Sequence, residues 1–86
     1  MEYIVIAFRS RAHTVKFYEL LSKSGVYCEI ISTPKEAGVG CGLSVKISPN
    51  SLFTAKAFIR KSAFTSFAGL FKVKESLGVR LIKGIN

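Results

Sequence analysis

The sequence predicts one small α+β domain whose elements run βαββαβ, an antiparallel sheet with two helices on one face. Two observations predict it. Short apolar runs rich in β-branched residues alternate with two stretches of helical periodicity, and 86 residues leave room for a single domain. The domain is expected over residues 1–75, with residues 76–86 as a C-terminal tail or an added strand.

Residues 3–8 form a continuous apolar run ending at Arg9, Ser10 and Arg11, the pattern of a buried central strand. Ser10 is placed to cap a helix, because its hydroxyl can accept an orphan N–H of the first turn. Thr14, Phe17, Tyr18 and Leu21 recur at three- and four-residue spacing and give that helix one buried face. Gly25 is its left-handed stop. Residues 26–31 alternate as the second strand, and Pro34, which lacks a ladder donor, closes it. A glycine-rich loop reaches Gly42, and residues 43–47 alternate again as the third strand. Ser48, Pro49, Asn50 and Ser51 break that strand and cap a second helix with Leu52, Ala55, Phe58, Ile59 and Ser62 in one stripe. Residues 67–74 are the fourth strand, with Phe67, Gly69, Phe71 and Val73 on one face, and residues 79–82 can add a fifth. The order βαββαβ is the ferredoxin-like, or split βαβ, plan.

Composition bounds the function. With 49% hydrophobic residues in so short a chain, some apolar side chains are expected to be covered by a second copy, as a homo-oligomer. The charge of +8, from 13 Lys and Arg against 5 Asp and Glu, favours acidic partners. The chain opens directly on a strand without a cationic leader. No apolar segment approaches the roughly 20 residues that span a bilayer, so no membrane role is expected. Two cysteines do not make a disulfide framework. The expectation is a cytoplasmic protein with both thiols reduced.

Cys41 is the one residue placed for chemistry. If strand 1 runs up, the loop between strands 2 and 3 lies at the top, beside Ser10, Arg11 and His13 at the start of helix 1. Arg60 and Lys61 approach from the end of helix 2. A helix N-terminus and nearby cations favour the reactive thiolate. Gly38, Gly40 and Gly42 let backbone N–H groups turn toward an anion. His13 could serve as proton donor or thiolate partner. The competing reading makes Cys41 a small residue filling a loop. Cys28 alternates with Val26 and Ile30 on a strand face, so burial is expected for it.

Other chemistries lack their residues. There is no CxxC and only one histidine, so no metal site is expected. The spacing Gly38, Gly40, Gly42 is not GxGxxG and precedes a strand, which argues against a dinucleotide. The third strand carries no aromatic for base stacking, so sequence-specific nucleic-acid recognition is not expected. With no Asp in the chain and no nucleophile elbow, hydrolase chemistry has no support.

Thr33, Pro34, Lys35 and Glu36, followed by Cys41, Gly42 and Leu43, resemble the Putative Se/S carrier protein-like family. Phe8, Ser10 and Gly25 add to the likeness, which is good over roughly the first fifty residues. Between Glu36 and Cys41 the chain has Ala37, Gly38, Val39 and Gly40, where members more often carry Ile and small polar residues. The resemblance implies that Cys41 holds sulfur or selenium as a persulfide or selenopersulfide. Lys35, Arg11, His13, Gly40 and Gly42 would stabilise the anion, and Thr33, Pro34, Glu36 and Leu43 complete the motif. It implies a donor of the cysteine desulfurase type and an acceptor, for which the charge of +8 favours an acidic protein. No cofactor is implied, and a carrier rather than a stand-alone enzyme. The alternative is a ligand-binding or protein-assembly module in which Cys41 is incidental.

Overall fold

Strand β1 (Glu2–Phe8) is the centre of the sheet, because both of its faces are apolar: every residue from Tyr3 to Phe8 is buried. A computed structural model describes residues 1–62 and 64–85. After β1 come α1 (Arg11–Lys23), β2 (Cys28–Ser32), a short 3₁₀ turn (Lys35–Ala37) and β3 (Leu43–Ile47). A second 3₁₀ turn (Pro49–Ser51), α2 (Leu52–Ser62), β4 (Phe67–Ser76) and β5 (Val79–Ile85) complete the order. The five strands form one sheet in the order β2-β3-β1-β4-β5, with every neighbouring pair antiparallel.

Both helices serve one core. Ile4, Ile6 and Phe8 of β1 pack with Val45, Ile47, Cys28 and Leu70 of the other strands, with Phe17 and Leu21 of α1, and with Ala55 of α2. Phe8 holds the centre of an aromatic group. Its ring lies 5.2 Å from Phe17 and meets Phe64 and Phe67 edge-on at 5.6 and 5.9 Å. Removing such a buried ring costs about 3–5 kcal/mol, against a typical domain stability of about 5–15 kcal/mol.

The face without helices has its own small core of Tyr3, Val5 and Val73, extended by Ile31, Phe71 and Ile82. There the Phe71 ring lies over Gly69 and Gly84. A Cβ on Gly69 would come within 3.2 Å of it. The two glycines therefore give the ring a flat bed on the sheet.

Most expected elements are present, with two corrections. The second strand begins at Cys28 rather than Val26. Helix α1 closes with Gly25 at φ 86°, Gly25 N–H donating to Ser22 and Val26 N–H donating to Leu21. Val26 has thus spent its donor on the helix end and cannot join the ladder. Phe67 does not share a face with Phe71 and Val73. Ala7 pairs with Gly69 but Phe8 pairs with Phe67, so β4 has one extra residue there and the bulge turns Phe67 to the helix side. Of the two alternatives for the C-terminal segment, the added strand is the one present, and it runs beyond residue 82, over Val79–Ile85. Leu77 and Gly78 both have positive φ, 50° and 78°, which makes a two-residue hairpin turn whose twist matches its strands. Leucine is a poor sequence marker for that turn, which is why the sequence left tail and strand both open. Among the described residues no helix is long and apolar enough to cross a membrane.

Candidate functional site

The end of β1 and the start of α1 make the floor of the site. Ser10 caps α1, its Oγ accepting the His13 N–H at 3.2 Å. The β2–β3 loop comes down onto this floor. Thr33 N–H donates to Gly42 O at 2.9 Å and Thr33 Oγ1 lies 2.6 Å from Ser44 Oγ, which closes the base of the loop. Cys41 N–H donates to Phe8 O at 3.1 Å, which ties the loop to the last residue of β1. Gly40 makes this approach possible: its φ is 98°, and a Cβ there would sit 3.4 Å from Phe8 O and 3.5 Å from the Ala7 side chain.

These contacts leave the Cys41 sulfur half-buried against α1. Its Sγ is 3.7 Å from Thr14 Oγ1 and its S–H can donate to Leu43 O at 3.5 Å. Thr14 is fully buried, and its hydroxyl also reaches Ser10 O at 3.1 Å and Leu43 O at 3.5 Å. A hydroxyl has one proton to give. Beside a neutral thiol it goes to a carbonyl; beside a thiolate it can turn to the sulfur. Ser10 O then still accepts the Thr14 backbone N–H at 3.1 Å, so it keeps a donor after the turn.

The other sequence candidates divide. Thr33 and Leu43 act directly, one at the loop base and one through its carbonyl. Pro34 is buried, and Gly42 has φ 96° and takes part through its carbonyl. His13 belongs to a different contact: its Nδ1 is 2.6 Å from Ser66 Oγ and its ring stacks on Phe64 at 5.0 Å. It joins α1 to the connection before β4. Arg11 and Lys35 are exposed, and their ammonium and guanidinium groups form no ion pair among the described residues.

Glu36 reaches across the sheet. Arg80 of β5 donates to it through Nη2 at 3.0 Å and Nε at 3.4 Å, and Arg80 also lies 4.0 Å from Glu75. The Glu36 carboxyl is held below the usual carboxylate range, first by its own backbone N–H and then by Arg80. Burial and the nearby Glu75 raise the Tyr3 phenol on the same face. The loop that carries Cys41 is thus fastened twice, to the central strand β1 by a backbone bond and to the edge strand β5 by an ion pair.

Cys28 is buried at the opposite end of β2, with Sγ 3.4 Å from Ser22 Oγ and 3.6 Å from Tyr18 O. Both cysteines are free thiols. Among the described residues no three His, Cys or carboxylate groups come together as a metal site.

Sequence reasoning missed two residues here. Thr14 was visible only as part of an apolar helix stripe, although a hydroxyl on that stripe, four residues after the cap, is a signal. Arg80 had no signal, since its partner is 44 residues away.

No curated protein and no solved structure matches this chain. A family model does, the one described as Putative Se/S carrier protein-like, over residues 3–68. The matched span holds Thr14, Thr33, Glu36 and Cys41, and it ends two residues into β4, before Arg80 and the hairpin. With more than half of its length matched, and the Cys41 loop inside the match, the chain belongs to the Putative Se/S carrier protein-like family.

Proposed function

We propose that this protein carries sulfur or selenium on Cys41 between a donor enzyme and an acceptor. One observation carries the reading: the Cys41 sulfur is half-buried beside a buried hydroxyl that can turn to a thiolate, while the other thiol is buried in the core. Family membership supports it. The Cys41 thiolate attacks the outer sulfur of a donor persulfide. A new S–S bond forms on Cys41, the donor S–S bond breaks, and the donor cysteine leaves as thiolate. Passing the outer sulfur to an acceptor nucleophile reverses these roles and returns the Cys41 thiolate. Selenium follows the same exchange, and neither step needs an external oxidant. A donor of the cysteine desulfurase type, an acidic protein acceptor and a reducing cytoplasm belong to this reading.

The reading also takes the order β2-β3-β1-β4, with β1 between β3 and β4, as a ferredoxin-like plan to which β5 adds an edge strand. That plan brings the β2–β3 loop to the start of α1.

The test is mass spectrometry after incubation with an active cysteine desulfurase and cysteine. A single sulfur added on Cys41, and none in Cys41→Ser, is expected. An unmodified Cys41 beside a desulfurase shown to turn over would overturn the carrier reading and leave the assembly module in its place.

A further inference from the structure

The two helices pack over the core of the sheet, and β5 lies at its outer edge with no strand beyond it among the described residues. On the helix side this leaves a groove between the flank of α2 and the β4–β5 hairpin. One hollow of about 160 Å³ lies beside Lys56, Arg60 and Leu70, and a second of about 290 Å³ beside Lys72, Lys74, Leu81 and Lys83. Leu70 and Lys72 are two residues apart on one face of β4, so the hollows adjoin.

The charge here is one-sided. Five cations meet a single carboxylate, Glu2, which sits 3.7 Å from Lys72 and 3.4 Å from Lys74. Among the described residues no ion pair involves Lys56, Arg60 or Lys83. Lys72 and Lys83 are direct cross-strand partners, an arrangement that costs stability unless an anion lies between them. Leu81, two residues from Lys83 on the same strand face, is 64% exposed. An open edge presents unpaired backbone N–H and C=O groups that can take an added strand, and edge lysines discourage pairing except with a strand that brings carboxylates to them.

We propose that the outer edge of β5 and this lysine-lined groove dock an acidic, extended segment of a partner protein, which joins the sheet as a further strand. Its carboxylates would meet Lys72 and Lys83, and its apolar residues Leu81. Residues 79–85 carry Arg80 and Lys83 and no carboxylate, so a second β5 edge would bring only further cations to this groove, which disfavours a second copy as occupant. RNA is disfavoured because the aromatic lining these hollows, Phe67, is half-buried and packed against Phe8 rather than presented on the surface. The proposal does not rest on the chemistry of Cys41.

The test uses the full chain and a short synthetic peptide alternating Glu with Val and Thr, followed by fluorescence anisotropy and amide exchange. Binding that slows exchange in residues 79–85 is expected. Lys72→Glu with Lys83→Glu should weaken it roughly tenfold or more, whereas Lys16→Glu with Lys23→Glu on α1, the same change in net charge, should alter it less than about twofold. If charge reversal unfolds the hairpin, Lys72→Gln with Lys83→Gln replaces it, with binding expected to fall in the same direction. The proposal is overturned if the peptide does not bind, if its Gln counterpart binds equally well, or if both double variants weaken binding alike. A uridine oligonucleotide binding the same residues more tightly than the peptide would assign the groove to nucleic acid instead.

Discussion

Replacing Thr14 with Val tests whether the Cys41 sulfur is prepared for chemistry. Valine keeps the β-branched shape of a fully buried side chain and removes only the hydroxyl. The bonds lost are those to Ser10 O at 3.1 Å, Leu43 O at 3.5 Å and Cys41 Sγ at 3.7 Å. Ser10 O keeps the backbone N–H of residue 14, and Leu43 O keeps the Cys41 thiol. No buried acceptor is stranded, so the stability loss should be at most about 1 kcal/mol. The effect on the sulfur is larger in proportion. A hydrogen bond to a charged group contributes roughly 1.5–3 kcal/mol. A long contact to a half-buried sulfur should contribute less, about 1 kcal/mol, which corresponds to roughly a fivefold slower reaction at that sulfur. Alkylation by iodoacetamide, followed by intact mass, should therefore slow about fivefold in Thr14→Val and recover in Thr14→Ser. In both proteins Cys41 should react before the buried Cys28. A folded Thr14→Val protein that alkylates at the wild-type rate would refute the role given to Thr14.

Gly40→Ala should destabilise the protein by about 1–2 kcal/mol, because a left-handed residue gains a Cβ facing Phe8 O and Ala7. Gly38 lies at φ 67°, inside the left-handed region an L residue can enter, and Gly40 at φ 98°, beyond it: denaturant midpoints should fall further for Gly40→Ala than for Gly38→Ala, and an unchanged midpoint for Gly40→Ala would count against that backbone conformation. The Glu36–Arg80 fastening should depend on pH. Because the folded carboxyl titrates below its ordinary value of 4.5, its contribution is present above that value and is lost as pH falls through the lower folded one. Acid titration by NMR should show the Glu36 carboxyl moving up toward the ordinary value in Arg80→Gln, and no movement would refute the pairing.

The alternation of 43–47, the Ser10 cap and the helical stripe of α1 could be read because each depends on residues close in sequence. Cys41 could be singled out for the same reason: glycines surround it and the rest of the motif is within ten residues. Its surroundings could not. His13 was a reasonable neighbour by topology, yet its ring is taken by Ser66 and Phe64, which belong to the connection between α2 and β4. Thr14, one residue on, faces the loop instead, because helical geometry turns adjacent side chains about 100° apart.

The sequence by itself determined the element types, the central place of β1, the end of the sheet where the Cys41 loop lies, and the family likeness. Periodicity, caps and breakers are local, and they suffice for these. Only the tertiary structure decided that Thr14 touches the sulfur, that Arg80 fastens the loop from the other edge, and that β5 leaves a basic groove open. Each of those depends on register and on contacts between residues far apart in the chain, where a one-residue bulge such as that at Phe67 changes which side chain meets which.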